Sequence, residues 1–194
     1  MIHVSSHNNE NKTLVENLHI LQSEINIKLE QSHQLVQLPQ IQQILLESNQ
    51  FFTGTGSPDE IVRQIEERWK TSDADVPDSV AFNLIHNSAA EVLRSVMETD
   101  QRSESKFKYA EIFVTNEYGA IAAQTHKTTD YRQDDEIWWQ KAKQNGVYFS
   151  EYGYDESAQV YSSDIAIAIS DENDNFIGVL KAVINVESII NSNT

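Results

Sequence analysis

The sequence predicts an α+β fold, in which long N-terminal helices are followed by an antiparallel five-stranded sheet with one inserted helix. Two patterns predict it. Leucine and isoleucine recur at three- and four-residue spacings in the first half, as on one face of a helix. From Tyr109 onward, short runs rich in β-branched and aromatic residues alternate with Asn, Asp and Gly turns. We therefore expect a helical region over 1–105 and a sheet module over 106–194, joined in one continuous domain.

The first helix is predicted from about residue 14 to residue 38. Its apolar positions follow a four-three-four spacing, which is typical of a helix that packs on another helix. These positions are Leu14, Leu18, Leu21 and Ile25. Pro39 then either opens a second helix at its first position or kinks the first helix.

Two further helices are predicted before the sheet. Ser57, Pro58 and Glu60 read as an N-cap, a proline at the first helical position and a capping-box glutamate. They predict a helix that ends near Lys70. A single helix is also predicted over 78–98, with breaks at 49–56 and 71–77.

The second half contains the predicted strands. Turn residues at 116–119 and 171–175 favour two hairpins, and Gly146 is expected to end a helix over 134–145. The five strands are predicted at 109–115, 120–125, 147–152, 164–170 and 176–186.

Composition excludes several classes of protein. Fourteen Lys and Arg against thirty Asp and Glu give a net charge of −16, which repels phosphate backbones, so no nucleic-acid partner is expected. The absence of cysteine excludes disulfides, thiol catalysis and cysteine-bound zinc. The longest apolar run, 165–169, is too short to span a bilayer, and the N-terminus has no signal-peptide character. We expect a soluble chain, either intact or an excised ectodomain.

Three short patterns favour ordinary structure over chemistry. Gly54-Thr55-Gly56 lacks the third glycine and the lysine of a phosphate loop. The segment from Asp171 begins like a calcium loop, but Phe176 and Ala182 stand where glycine and glutamate are needed. The six histidines are scattered, and no metalloprotease or serine-nucleophile motif occurs. We expect no enzymatic activity, no metal and no cofactor.

The adjacent Trp138 and Trp139 lie in DYRQDDEIWWQKA, residues 130–142. One ring can fill the core while the other edges a cavity, and the alternative is that both are core residues. Tyrosines and carboxylates lie within a short distance along the chain on both sides. Aromatic walls with a few carboxylates suit a small polar or cationic molecule.

Three segments together resemble the extracellular Cache sensor family, which is built on a PAS-like sheet. They are EIFVTNEYGAIAAQT (111–125), DYRQDDEIWWQKA (130–142) and DENDNFIGVLKAVINVESI (171–189). The resemblance covers about 109–189. It implies a PAS-like sheet attached to a long N-terminal helix, on the extracytoplasmic side of a histidine kinase or chemoreceptor. Membrane contact would come through flanking segments. Ligand-induced closure of 130–145 would shift the helix across a homodimer, whose seam we expect at Leu14, Leu18, Leu21 and Ile25.

The amino-acid-binding subgroup of that family suggests the site residues. Tyr131, Trp138 and Ala142 match its pattern, whereas Glu136 replaces an arginine and Asn185 replaces the last aspartate. The resemblance implies the following ligand-binding residues: Tyr131, Glu136, Trp138, Trp139, Tyr152, Tyr154, Asp155 and Asn185.

The departures from this pattern bear on the ligand. Glu136 in the arginine position would repel a carboxylate, so the resemblance implies an amine or another small polar metabolite. If Glu136 faces solvent, Arg132 takes its place. Two other functions stay open: a dimerisation module with a degenerate, ligand-free pocket, and a small-molecule enzyme, for which no convergent nucleophile and base are found.

Overall fold

The computed structural model describes residues 3–155 and 160–187, with side chains described for 19–154 and 160–187. Within this part of the chain the helices are α1 (His3–Val36), α2 (Pro39–Gly54), α3 (Pro58–Trp69), α4 (Val80–His86), α5 (Ser88–Gln101) and α6 (Ile137–Asn145). The strands are β1 (Lys108–Asn116), β2 (Ile121–Gln124), β3 (Val147–Phe149), β4 (Gly153–Asp155), β5 (Val160–Ser170) and β6 (Phe176–Asn185).

The second helix is longer than predicted. Pro39 opens α2 at its first turn, as one of the two alternatives had it. The helix then continues through Asn49, where a break was expected, and ends at Gly54. The buried Asn49 amide donates to the Ile177 carbonyl at 2.9 Å and accepts from the Glu117 N–H at 3.0 Å. These contacts to the sheet outweigh the weak helix preference of asparagine.

The helix predicted over 78–98 is wrong, because two helices meet at Asn87. The Asn87 backbone is extended, and its side-chain oxygen accepts from the Ala90 N–H at 2.9 Å, so it caps α5. Its amide also donates to the Ala122 carbonyl at 2.9 Å. The break therefore ties the start of α5 to β2.

The third helix begins at Pro58 as expected, but its cap differs from the prediction. The Ser57 side chain makes no capping hydrogen bond. Glu60 instead accepts from the Arg63 guanidinium on the next turn, at 2.7 Å.

The sheet is antiparallel throughout, in the order β2-β1-β6-β5-β3, and β4 also pairs with β5. The described residues thus contain six strands where five were predicted. The strand predicted over 147–152 ends early, at Phe149, and the sixth strand, β4, begins just beyond it at Gly153 and pairs with the same neighbour, β5. The α+β class is confirmed.

Helices cover both faces of the sheet. On one side, here called the α1 face, alternate strand residues such as Ile112, Ile167 and Leu180 pack in one cluster with Leu35 of α1 and Leu93 of α5. On the other, here called the α6 face, a second cluster joins sheet residues to α2, α3, α4 and α6. Its members include Phe113, Ala166, Val179, Val62, Trp69, Ala81, Trp138, Trp139 and Ala142.

The expected dimer seam lies partly inside the chain. Leu21 and Ile25 are partly buried against the cluster on the α1 face. The side chains of Leu14 and Leu18 lie outside the described residues. The helical spacing therefore serves intramolecular packing at two of the four positions, and the homodimer stays a prediction.

A buried ion pair fixes α1 against α5 and β1. The Lys28 ammonium is fully buried and pairs with the Asp100 carboxylate, which also accepts from the Tyr109 N–H at 2.9 Å. Burial lowers the pKa of Lys28, and the hydrogen bond to Asp100 opposes that shift. No helix within residues 3–155 and 160–187 is both long and apolar enough to cross a bilayer.

Candidate ligand-binding site

Helix α6 packs on one face of the sheet. It begins at Ile137 and not at Asp134, because residues 134–136 form a turn in which Glu136 is the extended N-cap residue. The late start puts both tryptophans in the first turn of the helix. Trp138, Trp139 and, one turn later, Ala142 are buried. Glu136 is exposed and makes no capping hydrogen bond.

Trp139 anchors α6 to the sheet. Its indole Nε1 donates to the Thr115 hydroxyl at 2.8 Å, and its ring meets Phe176 edge-on at 5.8 Å between centroids. The ring is 4% exposed and borders a surface cavity of about 300 Å³. That cavity is lined by Asp59, Glu117, Tyr118, Asp134, Trp139 and Lys143.

Trp138 faces the middle of the sheet. Its ring meets Phe113 edge-on at 5.8 Å, and the Lys181 ammonium of β6 lies 5.2 Å from its centroid. Trp138 is 7% exposed. Both tryptophans are therefore core residues, and Trp138 lies over the middle of the sheet.

Strand register places an unusual set of polar side chains beneath Trp138. Directly opposed residues in antiparallel strands point to the same side. Glu111, Val183 and Asp164 form one such row across β1, β6 and β5, and the next row on this side contains Gln124, Phe113, Lys181 and Ala166. Four polar residues in these two rows thus share the α6 face: Glu111, Gln124, Asp164 and Lys181.

These polar groups are partly satisfied by one another. The Lys181 ammonium lies 3.1 Å from Asp164 Oδ2, and the two side chains are 13% and 15% exposed. The Gln124 Oε1 atom accepts from the Thr128 N–H at 3.2 Å. Among the described residues its Nε2 donor has no partner, although Gln124 is fully buried. A buried donor without an acceptor is costly, which favours an additional acceptor at this position.

The structure brings together only some of the residues expected at the site. Tyr131 is 3% exposed and packs against Trp69 at 5.6 Å in the same cluster as Trp138 and Trp139. Burial raises the pKa of the Tyr131 hydroxyl. Asn185 is half-buried on β6, two residues from Val183 and therefore on the α6 face, and its side-chain oxygen accepts from the Glu187 N–H at 2.9 Å.

The remaining predicted site residues lie elsewhere. Tyr152 and Tyr154 are 70% and 57% exposed. Tyr154 lies opposite Tyr161 of β5. The next residue, Ser162, is on the α6 face, so the rings of Tyr154 and Tyr161 lie on the side of the sheet away from Trp138. The side chain of Asp155 lies outside the described residues.

Arg132, the proposed substitute for Glu136, is engaged by carboxylates at the surface. Its guanidinium lies 2.7 Å from Asp134 Oδ1 and 2.9 Å from Asp59 Oδ1. The cationic group nearest to Trp138 is therefore contributed by a strand and not by the segment before α6.

Glu111, Gln124, Asp164 and Lys181 were not predicted as site residues. One signal in the sequence could have found two of them. Lys181 stands in the otherwise apolar run from Ile177 to Ile184, and Glu111 stands within β1 directly before three apolar residues. A charged residue inside such a run is a candidate for a buried functional position. Among the described residues, no cluster of three or more His, Asp or Glu could hold a metal ion.

Comparison with known proteins gives the fold and the family. The family model for "Methyl-accepting chemotaxis protein-like, first PDC sensor domain" matches residues 82–191. No curated protein matches. The extracellular domain assigned to histidine kinase vpHK1S-Z8 is similar over 96% of this chain and 61% of that chain, with 13% identity and a TM-score of 0.52.

Two chemoreceptor domains are also similar. The ligand-binding domain of Campylobacter jejuni Tlp3, in complex with 4-methylisoleucine, is 17% identical over 80% of this chain and 64% of that chain, with a TM-score of 0.42. That of Pseudomonas fluorescens CtaA, in complex with L-serine, is 15% identical over 76% of this chain and 58% of that chain, with a TM-score of 0.40. The chain thus spans about three fifths of the length of these solved chains.

The family match covers more than half of the chain and includes the sheet, α6 and the residues beneath it. It confirms the resemblance to Cache sensors, since PDC and Cache name the same PAS-like class. It also confirms the expected class of extracytoplasmic sensor modules. The chain belongs to the family of first PDC sensor domains of methyl-accepting chemotaxis protein-like receptors.

Proposed function

We propose that this domain is the extracytoplasmic input module of a transmembrane receptor of the histidine kinase or chemoreceptor type. It binds a small molecule between α6 and the sheet and has no catalytic role. The observation that carries the proposal is the set of charged and amide side chains that strand register places on the α6 face beneath Trp138. Among them the Gln124 Nε2 donor is buried without a partner among the described residues, which is costly unless an acceptor satisfies it.

The groups beneath Trp138 favour an amine or another small polar metabolite. The carboxylates of Glu111 and Asp164 flank the central strand, and the rings of Trp138 and Phe113 give aromatic faces that attract a cation. Gln124 Nε2 offers a donor for an acceptor atom of the ligand. A free carboxylate has no arginine to clamp it here, because Arg132 is held by Asp134 and Asp59.

The route of signalling follows strand β1. Thr115 near one end of this strand holds Trp139 of α6, and Tyr109 near the other end contacts the Lys28 and Asp100 pair of α1 and α5. A ligand that favours closure of α6 onto the sheet shifts the population of one β1 arrangement, and so biases the packing of α1 across a homodimer.

The test is a thermal-shift screen of small amines, polar metabolites and amino acids against the wild-type domain. A true ligand raises the melting temperature as its concentration exceeds the dissociation constant. Glu111→Gln should weaken binding about 10- to 100-fold, because a hydrogen bond to a charged group contributes about 1.5–3 kcal/mol. The control Glu91→Gln, at an exposed position on α5, should bind as the wild type does.

Two results would count against the proposal. One is a complete screen in which no compound stabilises the wild-type domain. The other is a ligand whose affinity is the same in the wild type and in Glu111→Gln.

A second function is favoured by the burial of both tryptophan rings, at 7% and 4% exposure. It is a ligand-free dimerisation module that keeps the sensor fold. Sedimentation of the free domain as a stable dimer, together with an empty screen, would favour this function over ligand binding.

A further inference from the structure

The α6 face already holds a cation that belongs to the chain itself. The Lys181 ammonium lies 3.1 Å from Asp164 Oδ2, 5.2 Å from the Trp138 ring centroid and 6.0 Å from the Phe113 ring centroid. A carboxylate and two aromatic faces around one ammonium group are the elements with which proteins bind organic cations. Lys181 stands on β6, the central strand of the sheet, and its ammonium group lies beneath Trp138 of α6.

Two carboxylates stand in the strand row next to Lys181. Glu111 and Asp164 lie one on each side of β6, on the same face of the sheet as Lys181. The lysine is held on a flexible four-carbon stem, so its ammonium group can move without any change of the strand.

We propose that Lys181 is a tethered competitor that occupies the cation subsite of the ligand-free domain. This inference rests on the proposed function, because it concerns the same site. A ligand ammonium binds there by displacing the Lys181 ammonium from Asp164 and Trp138. Lys181 thereby sets the affinity threshold of the sensor and selects ligands that offer more contacts than a lysine side chain does.

The experiment uses tetramethylammonium chloride as the probe, at constant ionic strength kept with sodium chloride. Binding is followed by tryptophan fluorescence and by melting temperature. Lys181→Met removes the charge and keeps an unbranched apolar side chain, so it should bind the probe at least about tenfold more tightly than the wild type. Lys181→Arg should keep the weak wild-type affinity, because it retains the cation.

Lys143→Met is the matched control. The Lys143 ammonium lies 4.9 Å from the Trp139 centroid and 4.7 Å from the Phe176 centroid, so it makes similar ring contacts outside the proposed subsite. Its removal should leave the affinity for the probe unchanged. Equal affinity in wild type and Lys181→Met, or no binding by Lys181→Met, would overturn the inference.

A second measurement needs no variant. Acylation of lysines in the wild-type domain, mapped by mass spectrometry, should be slow at Lys181 and several-fold faster when the probe is saturating. An unchanged rate at Lys181 would also overturn the inference. Failure of the proposed function is recognised separately: the metabolite screen is then empty, whereas Lys181→Met still binds the probe.

Discussion

Gly119 shows at the scale of one residue how the site segment is attached to the sheet. It lies in the β1–β2 turn with φ +77°, and it accepts at its carbonyl from the Gln133 N–H at 2.9 Å. A Cβ atom added to Gly119 would lie 2.5 Å from both the Cβ and the backbone N of Asp134. The glycine therefore allows the segment before α6 to approach the turn.

Gly119→Ala should lower the free energy of unfolding by about 3 kcal/mol or more, because backbone strain adds to a steric clash with Asp134. Gly146→Ala is the matched control. Gly146 has a similar φ of +83° but nothing within 4 Å of its added Cβ, so only the strain of about 1–2 kcal/mol should remain. Urea unfolding measures both values, and equal losses would show that the contact with Asp134 is unimportant.

Lys181 is a candidate site residue whose neighbours cannot be predicted from the sequence. The sequence places it in an apolar strand, which indicates burial but not its neighbours. Its contacts with Asp164 and Trp138 depend on the register of β5 with β6 and on the docking of α6. Residues 17 and 43 positions away come together through these two features, and no local pattern encodes them.

At the scale of the element, α6 depends on one buried hydrogen bond for its position. Thr115→Val should lower the free energy of unfolding by about 1–3 kcal/mol, because the Trp139 Nε1 donor would lose its acceptor in the core. Thr115→Ser keeps the hydroxyl and should retain the bond. Hydrogen exchange of the α6 amides should rise in the valine variant and stay lower in the serine variant. Equal exchange in both would contradict this account of the docking.

Helix α1 is attached to the start of the sheet through Glu24. Its carboxylate accepts from the Ser105 hydroxyl at 2.5 Å and from the Lys106 N–H at 3.2 Å. Partial burial alone would raise the pKa of Glu24, but these hydrogen bonds outweigh it and hold the pKa below its ordinary value. A lowered pKa means that the ionised form stabilises the fold at neutral pH and is lost on acidification.

Glu24→Gln should therefore be less stable than the wild type by about 1 kcal/mol at pH 7. The difference should stay constant above the ordinary glutamate pKa of about 4.3 and shrink as the pH falls below it, through the lowered pKa of the Glu24 carboxylate. Urea unfolding at pH 7, 5, 4 and 3 measures the difference. A stability difference that does not change with pH would show that ionisation of the Glu24 carboxylate is not its cause.

At the scale of the whole molecule, the helical and sheet regions share their cores. The Lys28 and Asp100 pair lies on the helical side of the boundary predicted at residue 105, and Asp100 accepts from Tyr109 on the sheet side. Asp100→Asn leaves the buried Lys28 ammonium without a full counter-charge. It should lower the stability by about 3–5 kcal/mol, as for other buried pairs broken at one partner.

That loss should be seen in both regions together. Far-UV circular dichroism reports mainly the helices, and the fluorescence of Trp69, Trp138 and Trp139, which share one cluster, reports the α6 face. Coincident midpoints, shifted equally by Asp100→Asn, would show one cooperative unit. Separate midpoints would show two domains. Glu67→Gln is the control, because Glu67 belongs to an exposed surface pair, and it should change the free energy of unfolding by less than about 0.5 kcal/mol.

The sequence by itself determined that helices precede strands, the α+β class and the resemblance to the family, but it joined α4 with α5 and missed β4. These follow from local periodicity, turn residues and motifs that lie within single segments, such as the tryptophan pair and the turn at Gly119. The sequence left open whether the two tryptophans are both core residues, and the structure shows both rings buried. The predicted helix boundaries are wrong at Asn49 and Asn87, because side-chain contacts with the sheet decide where each helix continues or ends.

Only the tertiary structure decided which residues meet under α6. A shift of one residue along a strand reverses the face to which a side chain points, so Tyr154 lies away from Trp138 while Asp164 and Lys181 lie beneath it. The start of α6 at Ile137 leaves Glu136 exposed, because the turn before it is held by contacts with Gly119 and Arg132. Sheet register and helix docking are long-range properties, and they define the candidate site.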